Sequence, residues 1–213
     1  IYVASSISLG NEAGVTLDLN GKKLQGQLNS SGSIITVPAN TKLTIIDSGT
    51  GGLVWNNTDR TGNCFALDNC GMLEIEGGTF QTRGAANYVI KNENSAMLTV
   101  SGGTIGKAKT NNIAIADDGG TTNISGGTIR FEQIGIVCYG TLHVSGGTFD
   151  TTDSYSDSGT GIYFYGKEGN SFKITALPTF QGKMGLNIAI EANGTNVPID
   201  FTDAEGAIFT AAP

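Results

Sequence analysis

Four copies of one phrase decide the fold of this chain: LEIEGGTF (73–80), LTVSGGTI (98–105), TNISGGTI (122–129) and LHVSGGTF (142–149). The first glycines of these copies are 25, 24 and 20 residues apart. A repeat of this length is typical of a solenoid, in which each repeat forms one coil that stacks on the next. Looser copies, FKITALPTF (172–180), LTIIDSGTGGLV (43–54) and VTLDLNGKKLQG (15–26), extend the stack in both directions.

A second apolar phrase lies between successive copies, as in CFALDN (64–69), NIAIAD (112–117), GIVCYG (135–140) and GIYFYG (161–166). The shortest coil, 121–140, has room for three short strands, TNIS, TIR and GIVCY. A Gly-Gly bend separates the first two, and one glycine of that bend needs a positive φ. The chain is therefore predicted to be all-β, a right-handed parallel β-helix of about seven to eight turns with three short strands per turn.

The composition favours this fold over helical, membrane and nucleic-acid-binding classes. Glycine, with 32 residues, is abundant, and each glycine inside a helix costs about 1 kcal/mol relative to alanine. No apolar stretch approaches the roughly 18 residues of a membrane helix, so no membrane insertion is expected. A net charge of -7 without a cluster of Lys and Arg argues against a nucleic-acid partner, because phosphate contacts require cations.

The chain is expected to form one domain over 1–213, with residues 1–14 as an N-terminal cap or first turn. It stops at AIFTAAP (207–213), a strand phrase with no polar cap after it. An open solenoid needs capped ends, so we expect a module of a longer surface protein with neighbouring domains. Cys64 and Cys70 would be about 20 Å apart if they flank an extended strand, too far for a disulfide, so Cys64, Cys70 and Cys138 are predicted to be free thiols.

The phrases LDLNGKKL (17–24), LTIIDSGTGG (43–52) and the repeated SGGTI resemble the right-handed, pectin-lyase-like β-helix domains of bacterial secreted and wall-attached proteins. The resemblance runs from about residue 15 to residue 190. It implies the architecture and an extracellular or bacterial cell-surface location. It does not imply one activity, because such domains include polysaccharide lyases, glycoside hydrolases, adhesins and stalks.

Function on a solenoid must lie on outward side chains or on loops. Aligning the second phrase places Ile113 and Cys138 inward and Ala66, Val89 and Ala114 outward. The same outward column brings together Tyr139, Tyr163 and Tyr165. The polar loop 150–159, the longest in the chain, comes directly before the phrase that contains Tyr163 and Tyr165. It is expected to overhang these tyrosines, and it carries Asp150, Asp153, Tyr155 and Asp157.

Exposed tyrosines suit the apolar C–H face of a sugar ring, and the loop supplies polar partners for its hydroxyls. We therefore expect glycan binding by these seven residues. The alternative is a ladder of tyrosines that only stiffens the sheet. The acidic residues of the loop could also hold calcium, although their spacing matches no calcium-binding repeat, and a solvated loop is the preferred interpretation.

Catalytic interpretations are weaker. The first phrase gives the outward column Asp18, Thr44, Glu74, Thr99, Asn123, His143 and Lys173. His143 could act as a base in an elimination reaction, and Glu74 with Glu76 has the strand spacing of an inverting pair of carboxylates. Polysaccharide lyases of the resembling fold use an acidic calcium cluster with a nearby arginine, which this chain does not match. A column of threonines in the repeated phrase is a further feature, and an ice-binding face is one interpretation of it. Hydrogen bonding of the hydroxyls to the backbone near a corner explains the column more economically.

From the sequence we therefore expect a secreted or cell-surface module that binds glycan or serves as an adhesive or structural stalk. It is expected to be non-catalytic and to need no cofactor. The alternative is a polysaccharide lyase or glycoside hydrolase of pectin-lyase-like fold.

Overall fold

The computed structural model describes residues 1–10, 14–28, 32–59, 63–83, 88–106, 113–152, 159–182, 187–193 and 197–201. Over these residues the chain is a parallel β-solenoid with three strands per turn, which confirms the predicted fold class. Each turn adds one strand to each of three sheets, named A, B and C in the order in which the chain enters them. Within the described ranges each sheet has eight strands, and there is no helix long and apolar enough to cross a membrane.

The strands are short and follow the repeat. Sheet A contains β1 (Tyr2–Val3), β4 (Lys23–Gly26), β7 (Leu53–Asn56), β10 (Thr79–Thr82), β13 (Thr104–Ile105), β16 (Thr128–Arg130), β19 (Thr148–Thr151) and β22 (Thr179–Gly182). Sheet B contains β2 (Ile7–Ser8), β5 (Gly32–Val37), β8 (Cys64–Asn69), β11 (Tyr88–Asn92), β14 (Ile113–Asp117), β17 (Ile134–Cys138), β20 (Thr160–Lys167) and β23 (Ile188–Asn193). Sheet C contains β3 (Val15–Asp18), β6 (Lys42–Ile46), β9 (Met72–Ile75), β12 (Met97–Val100), β15 (Thr121–Ile124), β18 (Thr141–Val144), β21 (Phe172–Ile174) and β24 (Ile199–Asp200).

The register of the strands matches the sequence repeat. Thr79 pairs with Thr104, Thr104 with Thr128, and Thr128 with Thr148, all in parallel. The looser copy ending at 180 joins the same column, because Thr148 pairs with Thr179. Equivalent residues of successive coils therefore lie directly over one another.

Each Gly-Gly corner uses its two glycines for different reasons, as Gly102 and Gly103 show. Gly103 has a φ of +75°, a conformation that residues with a Cβ rarely adopt. At Gly102 a Cβ would overlap the carbonyl oxygen of Glu76 in the coil below. The first glycine thus lets two backbones approach closely, and the second turns the chain from sheet C into sheet A.

The interior combines an apolar column with a polar one. Inward positions of all three sheets supply isoleucine, leucine, valine and phenylalanine with almost no solvent exposure. At the C-terminal ends of three neighbouring strands of sheet B, however, the side chains are polar. Asn69, Asn92 and Asp117 are fully buried there, in adjacent coils. Asn69 Nδ2 donates to Asn92 Oδ1 at 2.7 Å, and Asn92 Nδ2 donates to Asp117 Oδ2 at 2.9 Å. This amide ladder links three coils through hydrogen bonds between side chains.

Asp117 ends the ladder as a carboxylate satisfied by the backbone. The amides of Gly119 and Gly120 donate to its Oδ1 at 3.0 and 2.7 Å, and the Thr122 hydroxyl donates to its Oδ2. A buried charge is tolerated when several donors replace its lost hydration. In the next coil the same position is occupied by Cys138. Burial, together with the charge of Asp117, raises the pKa of its thiol.

The three cysteines are free thiols, as predicted. Cys64 begins β8 and is buried, with its thiol 3.6 Å from the carbonyl oxygen of Leu28. Cys70 follows the same strand at the corner before sheet C and is partly exposed. The extended strand between Cys64 and Cys70 keeps them apart.

Candidate functional site

The outer face of sheet B carries the tyrosines that the sequence singled out. Tyr163 pairs with Val137 on the neighbouring strand. Tyr139, just after β17, and Tyr165 approach each other, with ring centroids 5.5 Å apart. Parallel stacking of the coils thus brings Tyr139, Tyr163 and Tyr165 onto one surface, as expected from their column. Tyr139 is the most open of them, with 37 % of its surface exposed.

Two of these tyrosines border a concave surface of about 270 Å³, called here the sheet B groove. It is lined by Tyr88, Ile113, Ala116, Asp118, Ile134, Val137, Tyr139 and Tyr163. The lining combines aliphatic and aromatic side chains with tyrosine hydroxyls and one carboxylate. An apolar surface with a few polar groups is the usual composition of a small-molecule site.

The sequence alignment missed part of this groove because strict alternation fails in sheet B. Ala66, Val89 and Ala114 were predicted to point outward but are buried in the core. Ile113, predicted to point inward, instead lines the groove, and Tyr88 lines it as well. Each strand places two successive residues inside at this point, as β11 shows with its buried pair Val89 and Ile90.

A signal for this break was present in the sequence. In the strands from β8 to β20, the first of the two inward positions carries Ala66, Val89, Ala114, Gly135 and Gly161, all small except the valine. A Cβ on Gly135 would lie 2.6 Å from the carbonyl oxygen of Gly161, so the position is crowded by the next coil. A column of small residues beside a column of Ile and Leu therefore marks the position where the strand bends.

Carboxylates and one lysine form the rim of the groove. Lys91 Nζ lies 2.6 Å from Glu93 Oε1 and 3.3 Å from Asp118 Oδ2. Although burial opposes it, these hydrogen bonds and charges raise the pKa of Lys91. For Asp68, burial and the charge of Glu93 both disfavour the ionised form, and they raise the pKa of its carboxyl. The rim is therefore acidic, with its lysine already paired to carboxylates.

The tyrosines respond to this acidic environment. A hydrogen bond to the Glu191 carboxylate, reinforced by partial burial, raises the pKa of Tyr163 to about 12. Burial raises the pKa of Tyr139, and neighbouring Tyr88 and Asp118 raise it further. Both hydroxyls thus remain protonated at neutral pH. The hydroxyl of Tyr139 can donate a hydrogen bond to a ligand, whereas that of Tyr163 donates its proton to Glu191 and can accept one.

Asp150 does not belong to the loop in which the sequence placed it. Strand β19 extends to Thr151, and the Asp150 side chain is buried. Arg130 holds its Oδ2 with two nitrogens, Nε at 2.9 Å and Nη2 at 2.7 Å, and the Thr152 amide donates to Oδ1 at 2.9 Å. Burial opposes ionisation, but the bonds from Thr152 and Arg130 outweigh it and lower the pKa of Asp150. Its oxygens are therefore occupied by internal partners.

The other loop residues, Asp153, Tyr155 and Asp157, lie outside the described residues, and their expected roles stay predictions. Calcium binding by Asp150, Asp153 and Asp157 stays a prediction for the same reason. Within the described ranges no three His, Cys, Asp or Glu side chains form a group that could hold a metal ion.

The candidate catalytic residues lie on sheet C, away from the groove. His143 pairs with Asn123 and Lys173 as expected, and its Nε2 lies 3.0 Å from the Thr175 hydroxyl. Lys173 Nζ lies 3.4 Å from Asp200 Oδ2. Asp18 was predicted to lie in this column, and that prediction is wrong. Asp18 pairs with Ile46, and Thr16 takes the position next to Thr44.

Glu74 acts as a partner for its neighbours. Its Oε1 lies 2.7 Å from Lys42 Nζ, and its Oε2 accepts a hydrogen bond from the Thr44 hydroxyl at 3.0 Å. The bond from Lys42, with that from Thr44, lowers the pKa of Glu74 despite some burial. A carboxyl with a lowered pKa is unsuited to be the general acid of a glycosidase, which needs a raised one. Glu76 is exposed just beyond the strand.

A scan against models of protein families found no match to this chain, and neither did searches of curated proteins and of solved structures. The chain is therefore classified by its fold, a parallel β-solenoid, and no family is assigned to it.

Proposed function

We propose that this protein is a secreted or cell-surface β-helix module that binds glycan through the sheet B groove and does not degrade it. The observation that carries the proposal is the groove itself, in which Tyr139 and Tyr163 stand beside aliphatic side chains and Asp118. A sugar ring has an apolar C–H face and a polar edge, and such a lining offers a partner to each.

The size and charge of the groove limit the class of glycan that it can bind. Its volume of about 270 Å³ is just below the usual range of ligand pockets, about 300–1,000 Å³, which suits a small part of a polymer rather than an enclosed molecule. The rim carries Asp118, Glu93 and Asp68 around Lys91, which is already paired with two of them. A second lysine, Lys167, lies over the Tyr165 ring, 5.9 Å from its centroid, and the whole chain has a net charge of -7. Like charges repel, so neutral glycans are favoured over those that contain uronic or sialic acids.

Binding is favoured over catalysis by the groups that face the groove. Hydrolysis needs two carboxyls on either side of the scissile bond. Asp118, the carboxylate among the described lining residues, is paired with Lys91 at 3.3 Å. The nearby carboxylates of Glu93 and Glu191 are bonded to Lys91 and Tyr163. A lyase or hydrolase therefore has less support than a binding module. The resemblance of the repeat to bacterial surface β-helix domains supports the extracellular location, and an adhesive or stalk role is compatible with the solenoid shape.

The proposal is tested by applying the purified protein to an array of neutral and acidic glycans. We expect binding to neutral glycans that is lost in Tyr139→Ala and in Tyr163→Ala. The matched control is Tyr2→Ala, which removes an exposed tyrosine from sheet A. Glycan binding that persists when Tyr139, Tyr163 and Tyr165 are all replaced by alanine would refute the groove as the site. Release of reducing ends from any polysaccharide would refute the non-catalytic assignment.

A further inference from the structure

A notch lies at the edge between sheets B and C, on a different surface from the sheet B groove. It arises from the lengths of successive corners. Between Asn69, the end of β8, and Met72, the start of β9, the corner has two residues, whereas the corners of the coils before and after it have four. The short corner is therefore recessed between two protruding ones. The resulting notch has a volume of about 390 Å³, with Asn40 and Ser95 among the residues of its walls.

Three sulfur atoms belong to residues that line this notch: the thiol of Cys70 and the thioethers of Met72 and Met97. Met72 and Met97 are paired residues on adjacent parallel strands, which are about 4.8 Å apart. Cys70 comes two residues before Met72 on the same coil. The stacking of the coils thus places all three side chains at one concave surface.

The exposure of the two methionines is unusual for the residue type. Each exposes 44 % of its surface, although methionine is usually buried in the core. The same column continues with Lys42 on one side and Thr121 on the other, so the apolar residues are confined to the coils that form the notch. Packing into the core does not account for a pair of methionines at this position.

The electrostatic environment of Cys70 favours a cation. The carboxylates of Asp68 and Glu93 act on its thiol, and the charge of Lys91, which is paired with Glu93, opposes them. Within the described chain, the Oδ1 atom of Asp68 is buried and has no hydrogen-bond partner. A cation that binds the sulfur releases the thiol proton to solvent and forms a metal–thiolate bond, so that one positive charge replaces another next to these carboxylates.

We propose that Cys70, Met72 and Met97 bind one soft monovalent cation, Cu(I) or Ag(I), in this notch. Thiolate and thioether sulfurs are soft ligands that select Cu(I) and related ions over hard cations such as calcium and magnesium. The ligand set carries one negative charge after the thiol is deprotonated, which matches a monovalent ion. No change of oxidation state is involved in the binding step.

The experiment uses Ag(I) as a probe that needs no reductant, added to the whole chain with labelled methionine methyl groups. We expect one equivalent of Ag(I) to shift the methyl resonances of Met72 and Met97 and to leave that of the third methionine, Met184, unchanged. Cys70→Ser, Met72→Leu and Met97→Leu should each weaken binding at least tenfold, because the loss of an outer-shell group alone costs about 10–100-fold in metal affinity. Anaerobic titration with Cu(I) against a competing chelator should give the same order of affinities.

Two controls distinguish the loss of a ligand from the loss of the fold. Methionine-to-leucine changes conserve volume, so unfolding midpoints near that of the native protein would show that the variants fold. Replacing Cys64 and Cys138 by alanine leaves Cys70 as the single thiol, and this variant should still bind one equivalent. The three-sulfur site would be refuted if Cys70→Ser still binds Ag(I) with the native affinity. It would also be refuted if neither Met72→Leu nor Met97→Leu weakens binding.

Discussion

The amide ladder inside the solenoid should be a major determinant of its stability, and Asn92→Ala tests it directly. Asn92 is fully buried and accepts a hydrogen bond from Asn69 Nδ2 at 2.7 Å while it donates one to Asp117 Oδ2 at 2.9 Å. The substitution removes both bonds at once. It therefore removes the side-chain link between the three coils, whose backbone pairing remains.

The expected magnitude follows from the two bonds. The bond to the Asp117 carboxylate is charge-assisted and is worth about 2 kcal/mol, and the neutral bond from Asn69 about 1 kcal/mol. Asp117 keeps its donors from Gly119, Gly120 and Thr122, so it is not left bare. We therefore expect the free energy of unfolding to fall by about 3 kcal/mol. The control, Asn123→Ala, removes an amide from the outer face of sheet C and should change it by no more than about 0.5 kcal/mol.

Urea unfolding, followed by circular dichroism and by fluorescence of the single tryptophan, Trp55, measures both variants. With an m value on the order of 3 kcal/mol per M, the midpoint for Asn92→Ala should fall by about 1 M. The m value itself should stay unchanged, because the surface exposed on unfolding is the same. A midpoint shift no larger than that of Asn123→Ala would show that the ladder adds nothing to stability.

Three other results are expected. Gly102→Ala should destabilise the fold by several kcal/mol or prevent folding, whereas Gly14→Ala, where an added Cβ meets nothing within 4 Å, should be nearly neutral by thermal unfolding; equal effects would contradict the stacking argument. The pKa of Asp150 is lowered in the folded protein, so its ionised form stabilises the fold above the unfolded pKa of about 3.9. This contribution is lost as the pH falls through the folded pKa, and Asp150→Asn should therefore flatten the acid-induced loss of stability in this range. An unchanged pH profile would contradict the pairing with Arg130 and Thr152. Alkaline spectrophotometric titration should show Tyr163 ionising near pH 12, and Glu191→Gln should lower that pKa, unless the hydrogen bond between the two side chains is absent.

The sequence predicted the architecture because the repeat is visible residue by residue. The paired threonines from Thr79 to Thr179 and the positive φ of Gly103 were both implied by the SGGT phrase. A glycine pair at a fixed place in each coil leaves few alternatives for the backbone. The class and the three strands per turn followed from this pattern, and the free thiols followed from the spacing of the cysteines along an extended strand.

The site was predicted only in part, for a physical reason. Tyr139, Tyr163 and Tyr165 were placed together correctly, because they lie beyond the bend in sheet B and keep the alternation. Tyr88 and Ile113 precede the bend, and there a one-residue slip reverses the face on which a side chain lies. Asp150 was misplaced because a buried aspartate with an arginine partner looks, in sequence, like the start of a polar loop.

The buried amide ladder was also outside the reach of pattern reading. Asn69, Asn92 and Asp117 end apolar strands, where polar residues usually mark a turn. Only the superposition of coils shows that their side chains bond to one another rather than to water. Such a ladder is a property of the stack and not of any single repeat.

The unequal corners between sheets B and C have a consequence for how this architecture can change. From two to four residues are accommodated there in the coils from β5 to β18 without any shift in the paired columns on either side. Insertions and deletions at this edge can therefore change the shape of the surface while the three sheets keep their register. Designers who wish to graft a new recognition loop onto this protein should choose that edge.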